Sequence, residues 1–241
     1  MRPPHWSLGL LLFFSCASGG SPSAQYQRGM DAFGSDQMKV AAEALERFVA
    51  EACPAAKPDK RCRTAYLKLG HAHERLGANG PAWAAFDTAL ALPPHTRDEA
   101  VRADLDRVQK AVIEGRPGGD LTPVVILYKD EVDDGQYSLR SVVLSLDFEP
   151  VVTRDKDAGE LHTDEFRRVY GGSVPSGEHV LLVEAVHDCK PGGGPCARSK
   201  LRRAWSFKSA GHEPTTIEVR AFAKTAPGDD MARPTVDVGA R

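Results

Sequence analysis

Tyr66-Leu67-Lys68-Leu69-Gly70, followed by Ala82-Trp83-Ala84-Ala85-Phe86-Asp87-Thr88-Ala89 and closed by Pro94, is the stretch on which the fold turns. Its apolar residues recur at helical spacing, so it predicts two antiparallel helices. Small Gly70 and Ala82 let the two backbones approach closely, Leu69 and Phe86 fill the seam, and Pro94 stops the second helix because it lacks an N–H and its ring clashes with the preceding turn. A weaker copy lies upstream, with Gly29 standing for Gly70, Ala41 for Ala82, Leu45 for Phe86 and Phe48 for Ala89, each pair 41 residues apart. A further helix over about 97–114 places Val101, Leu105, Val108 and Val112 on one face, as a cap on the second pair.

The positions of Tyr66, Leu69, Gly70, Ala82, Phe86, Ala89 and Pro94 resemble the tetratricopeptide repeat, with His73 where that family prefers Tyr. The family's period is ~34 residues. The longer spacing here puts the insertion between Cys53 and Cys62, where a disulfide would staple the lengthened loop. Two repeats and a cap make a short solenoid whose usual work, by resemblance, is to hold a peptide or a partner helix in its concave groove. The competing reading is a helical prop for the domain that follows. His71 and His73, two apart on a helix, point in different directions, unlike the i, i+4 pairs that bind metal.

After Gly115-Arg116-Pro117-Gly118-Gly119-Asp120 the periodicity changes from helical to alternating. Seven strands are predicted, over 124–129, 137–146, 150–154, 165–170, 179–187, 200–207 and 216–224, separated by turn formers such as Asp133-Asp134-Gly135 and Pro175-Ser176-Gly177. With no helices between them they read as an antiparallel immunoglobulin-like β-sandwich, the alternative being an open sheet packed on the helices. The fold class expected is therefore α+β in two domains, a short tetratricopeptide-like α-solenoid followed by that sandwich. The boundaries are a signal peptide over 1–15, a tether over 16–24, helices over 25–115, a linker over 116–122, the β domain over 123–225 and a tail over 226–241.

Gly172-Ser173-Val174-Pro175-Ser176-Gly177-Glu178-His179-Val180-Leu181 resembles a "G-x-V-P-x-G-x-H-x-L" turn and strand of bacterial surface and periplasmic sandwich domains. Together with Tyr137-Ser138-Leu139-Arg140, Leu144-Ser145-Leu146-Asp147 and Trp205-Ser206-Phe207-Lys208, it resembles a family of uncharacterised bacterial envelope proteins, over about 123–234. Some carry the label dihydrolipoamide acetyltransferase, which does not suit this sequence. No histidine stands in the H-x-x-x-D-G setting that enzyme uses, and no lipoyl-carrying domain precedes. His179 reads as a turn-stabilising residue at the start of a strand.

The N-terminus has the order of a secretory signal peptide: Arg2, then the apolar run Leu8 to Phe14, then Ser15-Cys16-Ala17. That run is far short of the ~20 residues a membrane-spanning helix needs. Ser15-Cys16 resembles a bacterial lipobox, with lipidated Cys16 as the new N-terminus, although Phe13-Phe14 departs from the pattern; ordinary cleavage near Ala17 or Ala24 is the alternative. Ala17 after the cysteine resembles the outer-membrane sorting class. The address expected is an outer-membrane lipoprotein facing the periplasm, or else a soluble periplasmic or secreted protein.

Setting Cys16 aside leaves Cys53, Cys62, Cys189 and Cys196 of the five cysteines, whose spacings favour 53–62 and 189–196 among three connectivities. Such bridges suit an oxidising compartment. They lack the tight knuckles of structural zinc. Gly192-Gly193-Gly194 lacks the G-x-x-x-x-G-K-[ST] order of a phosphate loop.

With 31 basic and 33 acidic residues the net charge is -2, and no global field attracts nucleic acid. One stretch, Lys190 to Lys208, holds no acid, and its Lys200, Arg202, Arg203 and Lys208 are a candidate anionic contact. On a strand Lys200, Arg202 and Lys208 take one face while Leu201, Trp205 and Phe207 take the core. Asp133-Asp134, Asp155/Asp157 and Asp229-Asp230 lie in predicted turns, where aspartate serves the backbone. No catalytic constellation, cofactor or metal is expected. The function expected is a non-enzymatic envelope scaffold that binds protein, the alternative being recognition of an envelope glycan or lipopolysaccharide through the basic hairpin.

Overall fold

The computed structural model describes residues 20–53, 59–93, 98–115, 120–132, 136–155, 158–161, 163, 165–190, 198–210, 213–225 and 232–240. Cys16, Pro94 and Cys196 lie outside them, as do the leader and residues 16–19 of the tether. Among the described residues five helices come first: α1 (Pro22–Gly34), α2 (Met38–Ala52), α3 (Cys62–Arg75), α4 (Asn79–Ala91) and α5 (Glu99–Glu114). The first starts inside the stretch assigned to the tether, because Ser21 accepts the Ala24 N–H at 3.4 Å and Pro22 stands in the first turn, where its missing N–H costs nothing. Asp98 does the same for α5, accepting from Val101 at 3.3 Å.

The two helix pairs are built alike. A Cβ on Gly29 would stand 2.6 Å from Cγ of Leu45, and one on Gly70 would stand 2.6 Å from the Phe86 ring. Each glycine is thus a notch for the large side chain of the helix packed against it. Ala41, Leu45, Phe48, Ala82, Phe86 and Ala89 are all completely buried. Cys53, just past α2, and Cys62, opening α3, form a disulfide with Cα atoms 5.7 Å apart. Cys189 is disulfide-bonded as well. α5 lays Val101, Val108 and Val112 on α4, with Leu105 partly buried.

Eight strands follow: β1 (Leu121–Glu131), β2 (Tyr137–Leu146), β3 (Glu149–Arg154), β4 (Arg167–Pro175), β5 (Gly177–Cys189), β6 (Ser199–Ser209), β7 (Thr215–Thr225) and β8 (Ala232–Ala240), with a short 3-10 helix at Ala158–Leu161. They form two four-stranded sheets, ordered β4-β1-β7-β8 and β3-β2-β5-β6. One apolar cluster, including Val124, Ile126, Tyr128, Leu144, Leu181, Val183, Ile217 and Val219, joins their facing sides.

Three expectations are corrected. The sheets are not wholly antiparallel, since β1 runs parallel to β7 in the register Val124↔Thr215 to Glu131↔Phe222; a parallel pair needs a long crossover, and here the whole second sheet supplies it. The described residues hold eight strands rather than seven, because part of the supposed tail is β8, paired with β7. Its alternation is short and broken by Pro234, which a strand tolerates at a sheet edge. The supposed linker also ends early, at the start of β1.

The second sheet has two apolar faces. Along β5 the odd residues Leu181, Val183 and Ala185 enter the core between the sheets, while Val180 and Leu182 join Ala82, Trp83, Phe86, Val108 and Ala204 in a cluster beneath α4 and α5. This explains why α4 is apolar nearly all round, with α3 and α5 on one side and β5 and β6 on the other.

Candidate functional site

Polar residues fix the junction of helices and sheet. Glu178, on the helix-facing parity of β5, accepts the Gly80 N–H at the start of α4 at 3.2 Å, satisfying a free helix N-terminus with a carboxylate. Asp87 of α4, its side chain 8% exposed, is gripped by Arg202 of β6, whose Nη2 and Nε donate at 2.8 and 3.1 Å. Arg202 also reaches Glu184 at 2.9 Å, and Lys200 reaches the same carboxylate at 3.5 Å. Asp87 and Glu184 raise the Arg202 pKa against the opposing effect of its burial. Phe148 packs on Trp83 with ring centroids 4.9 Å apart.

Phe148 is presented by a tight turn. Asp147 and Phe148 both have positive φ, 52° and 74°, which is the backbone of a two-residue hairpin joining β2 to β3. Asp147 holds that turn to β5: its backbone N–H donates to Val180 at 2.8 Å, its Oδ1 accepts from Val180 at 3.0 Å, and its Oδ2 lies 2.7 Å from His179 Nδ1.

His179 is completely buried, and its Nε2 lies 2.7 Å from the Pro175 carbonyl and 3.1 Å from Ser209 Oγ. Asp147, His179 and Ser209 thus meet in the order of a hydrolytic triad, a cluster the sequence reading missed because its members come from three strand ends. It is not a nucleophile site. The Pro175 carbonyl only accepts, so Nε2 carries a hydrogen and cannot take the hydroxyl proton; Ser209, 2% exposed, donates to the same carbonyl at 3.0 Å. The cluster locks the Pro175-Ser176-Gly177 turn, the structural role expected of His179. A second buried group, His187 with Asp130 at 3.3 Å, lies inside the sheets beside Tyr128, whose phenol burial and the Asp130 charge push well above its ordinary pKa. Its Tyr128 hydroxyl and His187 Nδ1 have no hydrogen-bond partner among the described residues.

An open groove runs between the helices and β6. One part, about 300 Å³, is lined by Glu46, Val49, Ala50, Tyr66, Leu69 and Ala84 against Arg203 to Ser206. The adjoining part, about 480 Å³, is bounded by Ala50, Tyr66, Thr88, Leu201 to Arg203 and, on β8, Thr235 to Asp237. Burial pushes the Tyr66 phenol up, and a hydrogen bond with Arg203 pulls it partly back.

The predicted residues therefore separate. Gly29, Leu69, Gly70, Ala82, Phe86 and Ala89 pack the helices, while Tyr66 also lines the groove. Of the candidate anionic contacts, Lys200 and Arg202 are neutralised within the fold, whereas Arg203 and Lys208 are exposed with no carboxylate partner among the described residues. His73 bonds Glu46 at 3.2 Å, and His71 packs edge-on against Phe86, so the two histidines do point to different neighbours. Among the described residues no cluster of three or more His, Cys, Asp and Glu side chains is placed to hold a metal, and no helix is long and apolar enough to cross a membrane. Comparison with known protein families, curated proteins and solved structures finds no match to this chain.

Proposed function

We propose that the protein is a non-enzymatic scaffold of the bacterial envelope, in which a tetratricopeptide-like helical layer and an immunoglobulin-like β-sandwich jointly bind another protein, and that Cys16 carries its lipid anchor in the outer membrane. The observation that carries the binding reading is the groove, whose walls come from both layers and whose floor of Val49, Ala50, Ala84 and Ala85 is small and apolar. Such a floor admits a main chain closely and buries its side chains. The disulfide pairing of Cys53 with Cys62 supports an oxidising compartment. Glycan recognition is the weaker reading, because two of its four cations are paired within the fold, Arg202 with Asp87 and Glu184 and Lys200 with Glu184.

A photo-crosslinking residue at Thr88, inside the groove, tests this in cells. A discrete protein adduct is expected there, lost when Ala84→Trp fills the groove and absent when the probe is moved to exposed Ile113. No adduct at Thr88, or one indifferent to Ala84→Trp, overturns the reading. Metabolic lipid labelling of the wild type and of Cys16→Ala tests the anchor; an unlabelled wild type overturns it.

A further inference from the structure

We propose that the groove receives an extended, acidic segment of the partner protein, which adds as a strand to the free edge of β6 with a carboxylate seated on Arg203. This rests on the protein-binding reading above and names the occupant.

Three observations converge. β6, an 11-residue strand, has β5 as its only ladder partner among the described residues and ends its sheet, so one row of its backbone N–H and C=O groups lies outside the ladder, bordered by β8 at Leu201 to Arg203. The groove follows that edge through six consecutive residues, Leu201 to Ser206, about 20 Å of extended chain at ~3.3 Å per residue. A compact ligand needs no such length; a strand does, and strand addition draws its affinity from main-chain hydrogen bonds and its specificity from the pockets alongside.

Charge selects the sequence. Long exposed edges invite indiscriminate pairing unless charged residues guard them, and β6 carries Lys200, Arg202, Arg203 and Lys208. Lys200 and Arg202 are balanced by Glu184 and Asp87. Two further carboxylates line the groove, Glu46, which lies 3.2 Å from His73, and Asp237, which accepts the Val238 N–H at 3.0 Å; neither pairs with Arg203 among the described residues. The guanidinium of Arg203 has the Tyr66 hydroxyl as its partner and stands open to an incoming anion. A carboxylate on the added strand is drawn to Arg203, because Lys200 and Arg202 are already paired. Arg203 shares the inward parity of Leu201, Trp205 and Phe207, but because β6 is an edge its side chain emerges into the groove.

The test is selection of displayed random linear peptides, matched to the 11-residue length of β6, against the whole oxidised protein. Enriched peptides are expected to alternate β-branched or aromatic residues with Asp or Glu. A representative should lose about 10- to 100-fold in affinity on Arg203→Gln, as for a charge-assisted hydrogen bond, and regain part of it on Arg203→Lys. A central proline in the peptide, which removes ladder donors, should abolish binding. Far-ultraviolet circular dichroism of Arg203→Gln should match the wild type, since the residue is exposed. Peptides without acidic preference, or indifferent to Arg203→Gln or to proline, overturn strand addition on Arg203. If no peptide is enriched while the Thr88 probe still yields its adduct, the extended occupant is wrong and the protein-binding reading stands; if both fail, both are overturned.

Discussion

Arg202→Met should destabilise the protein more than Asp87→Asn does, although each removes one partner of the same ion pair. Arg202 is the only hydrogen-bond partner of Asp87 among the described residues, and the Asp87 side chain is 8% exposed, so Arg202→Met leaves a carboxylate buried and unpaired under α4. Breaking a buried pair in this way costs about 3–5 kcal/mol; Arg202 is itself 35% exposed, and solvent screening brings the expectation to about 2–3 kcal/mol. Asp87→Asn leaves Arg202 its second carboxylate, Glu184, and an amide that still accepts, for about 1 kcal/mol. Asp87→Leu combined with Arg202→Met should recover most of the loss, because nothing charged remains to be solvated. The assay is urea unfolding under oxidising conditions, followed by circular dichroism at the helix band and by fluorescence of Trp83 and Trp205. The wild type should unfold in one transition by both probes, since helices and sheet share one apolar cluster. Two separate wild-type transitions, or Arg202→Met costing no more than Asp87→Asn, would refute the reasoning.

Other perturbations test other joints. Replacing Cys53 and Cys62 by serine opens a bridge of sequence separation 9 and should lower stability by about 2–3 kcal/mol, read as a fall in the urea midpoint; an unchanged midpoint contradicts it. Gly70→Val drives a β-branched side chain into the Phe86 ring and should cost about 1–3 kcal/mol, with no such loss from Gly34→Val, which faces open space; thermal denaturation distinguishes the two. The Asp59 carboxyl is held at about 2, against an ordinary 3.8, chiefly by its hydrogen bond from the Arg61 side chain. Its contribution to stability is present above pH ~4 and is lost as pH falls through 2, so Asp59→Asn should lower stability at neutral pH, flatten the acid limb in that window and meet the wild type below pH ~2, as read by urea unfolding across pH.

What could be read without a structure was what is encoded locally. Gly70 and Phe86, like Gly29 and Leu45, lie sixteen residues apart on adjoining helices, so one repeated spacing exposed both notches. Partners brought from afar were not legible. The basic stretch ending at Lys208 looked uncompensated because its balancing carboxylate, Asp87, sits 115 residues from Arg202 in the other half of the chain. Asp147, His179 and Ser209 became a cluster only once β2, β5 and β6 were aligned. The parallel pairing of β1 with β7 follows from which strand each sheet accepts, and no alternation pattern carries that information. The groove was foreshadowed only by the repeat resemblance; its β6 wall was visible as a strand but not as an edge.

The two apolar sides of α4 also impose a timetable. Trp83 and Phe86 are made early in the chain, whereas Val180, Leu182 and Ala204, which cover them, come about a hundred residues later. As the polypeptide emerges from its N-terminus, the helical half therefore waits with an oily flank uncovered until β5 and β6 have paired. A protein truncated after α5 keeps that flank permanently bare.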